Sequence, residues 1–235
     1  MEKAHRHFDD QLDLLSDKLL RMGGLVEEAI ARCVQALVER DSDVAEHLIE
    51  SDIEVDRIEL EIDHLCTEML ALHQPMARDL RFIMTAVKIN TDLERIGDLA
   101  CNVAERALEL NLEPQLKPYI DIPVMARRAA EMVHRSLDAF VQRDSQAARE
   151  IMRMDDELDS RMEQVFRELV SFMIEDPRTI TRALRLTFVA KSFERMGDHT
   201  TNICEQVVYM AEGRVIKHPG ITGPPLDDPE EPEER

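Results

Sequence analysis

The sequence predicts an all-α protein built as two tandem three-helix bundles related by an internal repeat. Three observations predict it. Composition is the first: the 235 residues are 44% hydrophobic and 33% charged, aromatics are 4%, Trp is absent and Gly occurs seven times. Helix formers such as Leu, Ala, Glu, Arg and Met are plentiful, which favours packed helices over a sheet. The second is the spacing of apolar residues in steps of four and three, which lays one stripe along each helix. The third is a set of polar residues that recurs at fixed offsets in the two halves of the chain.

The elements follow in order. Helix 1 carries Leu12, Leu15, Leu19, Met22, Val26, Ala29, Cys33 and Leu37. Helix 2 carries Val44, Leu48, Val55, Ile58, Ile62, Leu65, Met69 and Leu72, with Ser51 as its one polar step. Helix 3 carries Phe82, Ala86, Ile89, Leu93, Ile96, Ala100, Val103, Ala107 and Leu110. Short breaks at Arg40-Asp41-Ser42 and Gln74-Pro75 imply antiparallel neighbours. The first repeat is read as 1–113 and a proline-bearing linker as 114–123. The second repeat is 124–213, with helices near 124–142, 144–175 and 178–212. Residues 214–235 form an acidic, Pro-rich tail of the composition that stays disordered.

The repeat extends to polar residues as well as the apolar stripe. Arg40-Asp41-Ser42 matches Arg143-Asp144-Ser145, and Asp52 and Asp56 match Asp155 and Asp159. Glu94-Arg-Ile-Gly-Asp98 matches Glu194-Arg-Met-Gly-Asp198, and Asn102 and Glu105 match Asn202 and Glu205. Glu94 and Asp98 are four apart and share a helix face, with Asn102 one turn on. If helices 2 and 3 pack antiparallel, the acids of both edges can meet. Such a patch favours a multivalent cation with oxygen ligands. Glu194, Asp198, Asn202, Asp155 and Asp159 repeat it. A solvated acidic face is the competing reading, because acids at this spacing repel by only about 0.2–0.5 kcal/mol. Arg95 and Arg195, if turned toward the acids, would make surface ion pairs instead. Gly97 and Gly197 each cost a helix about 1 kcal/mol relative to alanine. Their recurrence points to close approach of another backbone or of a ligand.

The net charge of −20 argues against nucleic acid and against an anionic membrane surface. No apolar run is long enough to span a membrane, and the N-terminus lacks the apolar core of a signal peptide. Cys33, Cys66, Cys101 and Cys204 are scattered and read as buried free thiols of a cytoplasmic protein. Glu61-Ile-Asp-His64 and Glu131-Met-Val-His134 both read E-x-x-H, the helical signature of di-iron carboxylate bundles. They fall at non-equivalent repeat positions, and His64, beside Leu65 of the stripe, reads better as a partly packed histidine. No nucleophile signature, P-loop or dinucleotide fingerprint occurs, so no enzyme is expected. A di-iron oxidoreductase and a purely structural interaction module stand as the alternatives.

At these residues the sequence resembles the PhoU family of bacterial phosphate-transport accessory and regulatory proteins. The resemblance rests on His5-x-x-Phe8-Asp-x-x-Leu12 running to Met22-Gly-Gly-Leu-Val-Glu27. It rests above all on the doubled Glu-Arg-x-Gly-Asp, followed by Asn102-Val-Ala-Glu105 and Asn202-Ile-Cys-Glu205. It covers about residues 5–213. It implies two three-helix bundles whose repeated motifs hold metal on the bundle surface: iron, zinc or manganese. The positions carried over are Glu94, Asp98, Glu194 and Asp198, with Asp52, Asp56, Asp155 and Asp159 as their counterparts. It implies a negative regulator of phosphate uptake and phosphate-starvation signalling, working with the phosphate transporter's ATPase subunit and a phosphate-sensing histidine kinase. A homodimer is the expected assembly. The chain departs at Leu99, where the second repeat has His199, and in its acidic tail.

Overall fold

The computed structural model describes the backbone of residues 2–216 and side chains from residue 7 onward. The tail expected to be disordered lies, from residue 217, outside the described residues. Among the described residues there are eight α-helices and no strand. They are α1 (Glu2–Val38), α2 (Ser42–Ser51), α3 (Ile53–His73), α4 (Ala77–Asn111), α5 (Asp121–Gln142), α6 (Ser145–Met152), α7 (Asp155–Glu175) and α8 (Ile180–Glu212).

The Arg-Asp-Ser repeat is a joint between helices. Arg40 and Arg143 take the left-handed conformation, at φ 57° and 54°, which ends the preceding helix. The following Asp41 and Asp144 N–H groups donate back to the carbonyls of Ala36 and Ala139. The same two aspartates then cap the next helix: Asp41 accepts from the Val44 N–H at 3.1 Å, Asp144 from those of Gln146 and Ala147 at 2.9 Å. Gln74, at φ 47°, ends α3 before Pro75.

Two expectations change. The second helix of each repeat is not continuous. It breaks at Asp52 and again at Arg153-Met154, separating α2 from α3 and α6 from α7. Neither break holds Pro or Gly. Ser51 Oγ donates to the Leu48 carbonyl at 2.8 Å, and tight bonds three residues apart replace the regular ladder, Val55 N–H to Asp52 and Met154 N–H to Ile151. In addition, α5 starts at Asp121, so Pro123 lies in its first turn and not in the connection.

In the first bundle α1 and α4 pack with α2 and α3; in the second α5 and α8 pack with α6 and α7. The bundles lie side by side, α4 antiparallel to α8 and α1 against α5. Leu15, Leu19, Leu93, Ile96, Phe140, Phe193 and Met196 are among the fully buried members of one continuous core. Phe82 stacks on Phe140 across the seam with ring centroids 5.1 Å apart. Gly23 lets the helices approach closely there: a Cβ would displace the end of the Leu137 side chain of α5. Polar clamps close the seam: Arg185 binds Glu109 at 2.7 Å and Glu113 at 2.5 Å.

Candidate metal centre

Each helix break sets an aspartate at the head of the following helix, Asp52 at the N-cap of α3 and Asp155 at the first position of α7. A carboxylate there interacts favourably with the helix dipole. Both aspartates rest against the mid-helix glycine of the antiparallel neighbour. A Cβ on Gly97 would sit 3.6 Å from Asp52 Oδ1 and 3.5 Å from Val55 Cγ1. A Cβ on Gly197 would overlap Asp155 Oδ1 and stand 2.7 Å from Leu158 Cδ1. At Gly197 the missing Cβ makes room for a carboxylate, whereas at Gly97 a Cβ would fit at ordinary contact distance. The contact of aspartate with glycine brings the acids of the second helix to those of the third: a glutamate about one turn before the glycine and an aspartate immediately after it.

In the second repeat Asp155 and Glu194 are crowded together, with Asp156, Asp159 and Asp198 exposed around them. Asp155 is half-buried, and burial followed by the charges of Asp159, Asp198, Glu194 and Asp156 pushes its carboxyl up to about 7. Asp155 Oδ1 and Glu194 Oε2 are both buried without a hydrogen-bond partner. Glu194, 12% exposed, has its other oxygen bound by Lys191. Lys191 serves one oxygen of Glu194, so Asp155 Oδ1 and Glu194 Oε2 are the two carboxylate oxygens left without the hydrogen bond that buried polar atoms require.

In the first repeat the group is larger and better served. Burial raises Asp52, opposed by a hydrogen bond from the Cys101 thiol and reinforced by Asp56 and Asp98. Burial also raises Glu94, with Asp98 adding to it and Arg95 opposing. Arg95 does turn toward the acids, 3.0 Å from Asp98 and 3.4 Å from Glu94, on an exposed surface. Glu59 joins this cluster, raised by burial and then by Asp63 and Asp56. Asn90 holds Asp63 in place, donating to its Oδ1 and to the Glu59 carbonyl, both at 3.0 Å. Sequence reasoning missed Glu59, Asp63 and Cys101. The signal for the first two was available, since they continue the acidic edge of Asp52 and Asp56 at helical spacing.

The PhoU domain matches twice, over residues 19–107 and 122–207, one copy to each bundle. The chain belongs to the PhoU family. The phosphate-specific transport system accessory protein PhoU homolog of Aquifex aeolicus is 42% identical over 211 residues, 90% of this chain and 96% of that one. PhoU of Escherichia coli is 36% identical over 213 residues, 91% of this chain and 88% of its own. The crystal structure of PhoU from Pseudomonas aeruginosa is similar with a TM-score of 0.83 at 39% identity, covering 86% of this chain and 98% of that one. That of PhoU from Streptococcus pneumoniae gives 0.84 at 27%, covering 90% and 100%.

Not every residue of the doubled PhoU motif turns to the acids. Asn202 donates to Asp92 Oδ1 of α4 at 3.3 Å, beside His199, whose Nδ1 is 2.9 Å from the same oxygen. Asn202, expected as a ligand, reaches across the seam between bundles in this arrangement. Asn102 is exposed on α4. Among the described residues no three His, Cys, Asp or Glu side chains already converge closely enough to hold an ion. A cation there would need carboxylates to swing by rotamer changes, which the half-exposed acids permit.

The E-x-x-H pairs serve elsewhere. Glu61 binds Lys18 at 2.6 Å, and Glu131 accepts from Arg128 at 2.9 Å. His134 stands at the surface beside Glu27 and Asp138. His64 is exposed and not partly packed as expected. Helix α3 packs on α1 and α4, whereas α5 packs on α1, α6, α7 and α8, so the two pairs face no common interior. Among the described residues no helix is long and apolar enough to cross a membrane. The four cysteines are unpaired; Cys33, Cys66 and Cys204 are buried and Cys101 is half-buried. Burial first pushes the Cys66, Cys101 and Cys204 thiols up to about 12, far from a reactive thiolate.

Proposed function

We propose that the protein is a metal-binding cytoplasmic regulator of phosphate uptake and phosphate-starvation signalling that acts without catalysis. It is a homodimeric adaptor on the phosphate transporter's ATPase subunit and on a phosphate-sensing histidine kinase, restraining both when phosphate is plentiful. Its relatives are named phosphate-specific transport system accessory proteins, and that name supports the phosphate part of the reading.

The observation that carries the metal part is the pair of orphaned oxygens, Asp155 Oδ1 and Glu194 Oε2, inside a carboxylate cluster. Asp155, Asp159, Glu194 and Asp198 would hold iron, zinc or manganese in the second repeat. Asp52, Asp56, Glu94 and Asp98 would hold it in the first. A bound cation supplies positive charge that quenches the repulsion among the acids and ties the second helix of each bundle to the third. The chain's own part is to aim the carboxylates. Gly197 admits Asp155, and the helix breaks set both aspartates at helix heads.

Deleting the gene should derepress phosphate-starvation genes in rich phosphate, and the wild-type gene should restore repression. Restoring it with Asp155→Asn/Asp198→Asn should fail. Unchanged expression on deletion overturns the regulatory reading. Full repression by the charge-neutral variant overturns the metal part and favours a packing module.

A further inference from the structure

We propose that the outer groove between α7 and α8 is a docking site for an amphipathic helix of a partner protein, with apolar residues on one face and Lys or Arg toward one end. Along α8, Ile180, Leu184 and Phe188 recur every four residues and are 40%, 45% and 63% exposed. Along α7, Phe166 and Ile174 are 48% and 78% exposed, with half-buried Val170 between them. The register set by Asp155 and Leu158 against Gly197 levels Phe166 with Phe188, Val170 with Leu184 and Ile174 with Ile180. The two helices thus expose apolar side chains to solvent at matching levels.

The first repeat measures how specific this is. The positions matching Phe166 and Phe188 are Asp63 and Lys88. Asp63 is held by Asn90, and Lys88 lies over the Tyr209 ring. Ile180 and Leu184 do have apolar, 40% exposed counterparts in Leu80 and Met84, so the two phenylalanines are what the second half adds.

Area and charge select the occupant. The five exposed side chains offer on the order of 500 Å² of apolar surface, near the top of what a monomer's largest patch covers. That falls short of the roughly 800 Å² per partner of a standard-size protein interface, so a single helix fits better than the broad face of a second copy. Further along α7 and α8 stand five acids, Asp155, Asp156, Asp159, Glu194 and Asp198, and the nearby Lys191 is already bound by Glu194. From Val170 to these acids is about 20 Å of helix at 1.5 Å per residue. A helix whose apolar i, i+4, i+7 residues fill the groove would carry its basic residues three to four turns away.

The test uses the full chain in chelator, which leaves the carboxylates free, and an 18-residue labelled peptide as probe. The peptide has Leu at i, i+4, i+7 and i+11 and three Lys at its C-terminal end. Fluorescence anisotropy should show it binding at least tenfold more tightly than a scrambled peptide of equal composition, and than one with Glu in place of Lys. Phe166→Ser/Phe188→Ser should lose at least tenfold with the helical circular dichroism unchanged, whereas Met84→Ser in the first repeat should not. Equal binding by wild type and the double variant overturns the proposal. So does sedimentation showing that the double variant dissociates a dimer, or Phe166-dependent binding to phosphatidylglycerol vesicles, because a second copy or a lipid surface is then the occupant. Metal content unchanged by Phe166→Ser separates this site from the proposed metal centre.

Discussion

The two acidic faces descend from one pattern yet differ in how they hold it. In the first repeat Asp52 has a thiol to accept from, Arg95 neutralises Glu94 and Asp98, and Gly97 leaves ordinary contact distance around the carboxylate. In the second, Asp155 is jammed against Gly197 and Leu158, and two oxygens have no partner. Thr201 stands where the first repeat has Cys101, so the thiol that serves Asp52 has no counterpart. A shared backbone plan thus places the acids, and a few neighbouring side chains decide whether the site is satisfied or strained.

The glycines separate the halves most sharply. Gly197→Ala should cost about 1–3 kcal/mol, since the methyl must displace a carboxylate and Leu158. Gly97→Ala should stay within about 1 kcal/mol of wild type on the stabilising side, because it improves helix propensity without a clash. Urea unfolding of both variants checks this; equal effects would erase the distinction.

The next effect depends on pH. In metal-free protein the Asp155 carboxyl titrates near 7 when folded, against about 4 in an unfolded chain. Its protonated form favours the fold, so this contribution is complete below about pH 4 and lost as pH rises through 7. Asp155→Asn should therefore gain about 1–2 kcal/mol over wild type at pH 8, after allowance for solvent screening of a half-exposed group, and little at pH 4. Asp52→Asn should show the same sign with a smaller amplitude. Denaturant midpoints across that range measure both. The smallest effect is expected for Arg95→Ala, whose exposed ion pairs are worth less than about 1 kcal/mol in thermal unfolding.

Much of this was legible in the sequence. The apolar stripe gave the helices because burial enforces its period: Leu93, Ile96 and Val103 are as buried as Phe193, Met196 and Ile203. The doubled acids gave the clusters because antiparallel packing brings matching edges together. The breaks at Asp52 and Met154 were hidden, since local backbone rearrangement needs no Pro or Gly to mark it. The partner of Asn202 was hidden too, because Asp92 is reached only through the packing of α4 on α8. Leu72, on the predicted stripe, is 65% exposed at the end of α3, beyond the reach of the core.

The central claim is that the duplicated carboxylates form cation sites, and metal stoichiometry tests it directly. Protein purified without chelators, or loaded with manganese or zinc and dialysed, should retain metal by elemental analysis. Asp155→Asn/Asp198→Asn should lose the second-repeat share and Asp52→Asn/Asp98→Asn the first. Absence of retained metal in the wild type, or the same content in both double variants as in the wild type, would contradict the account.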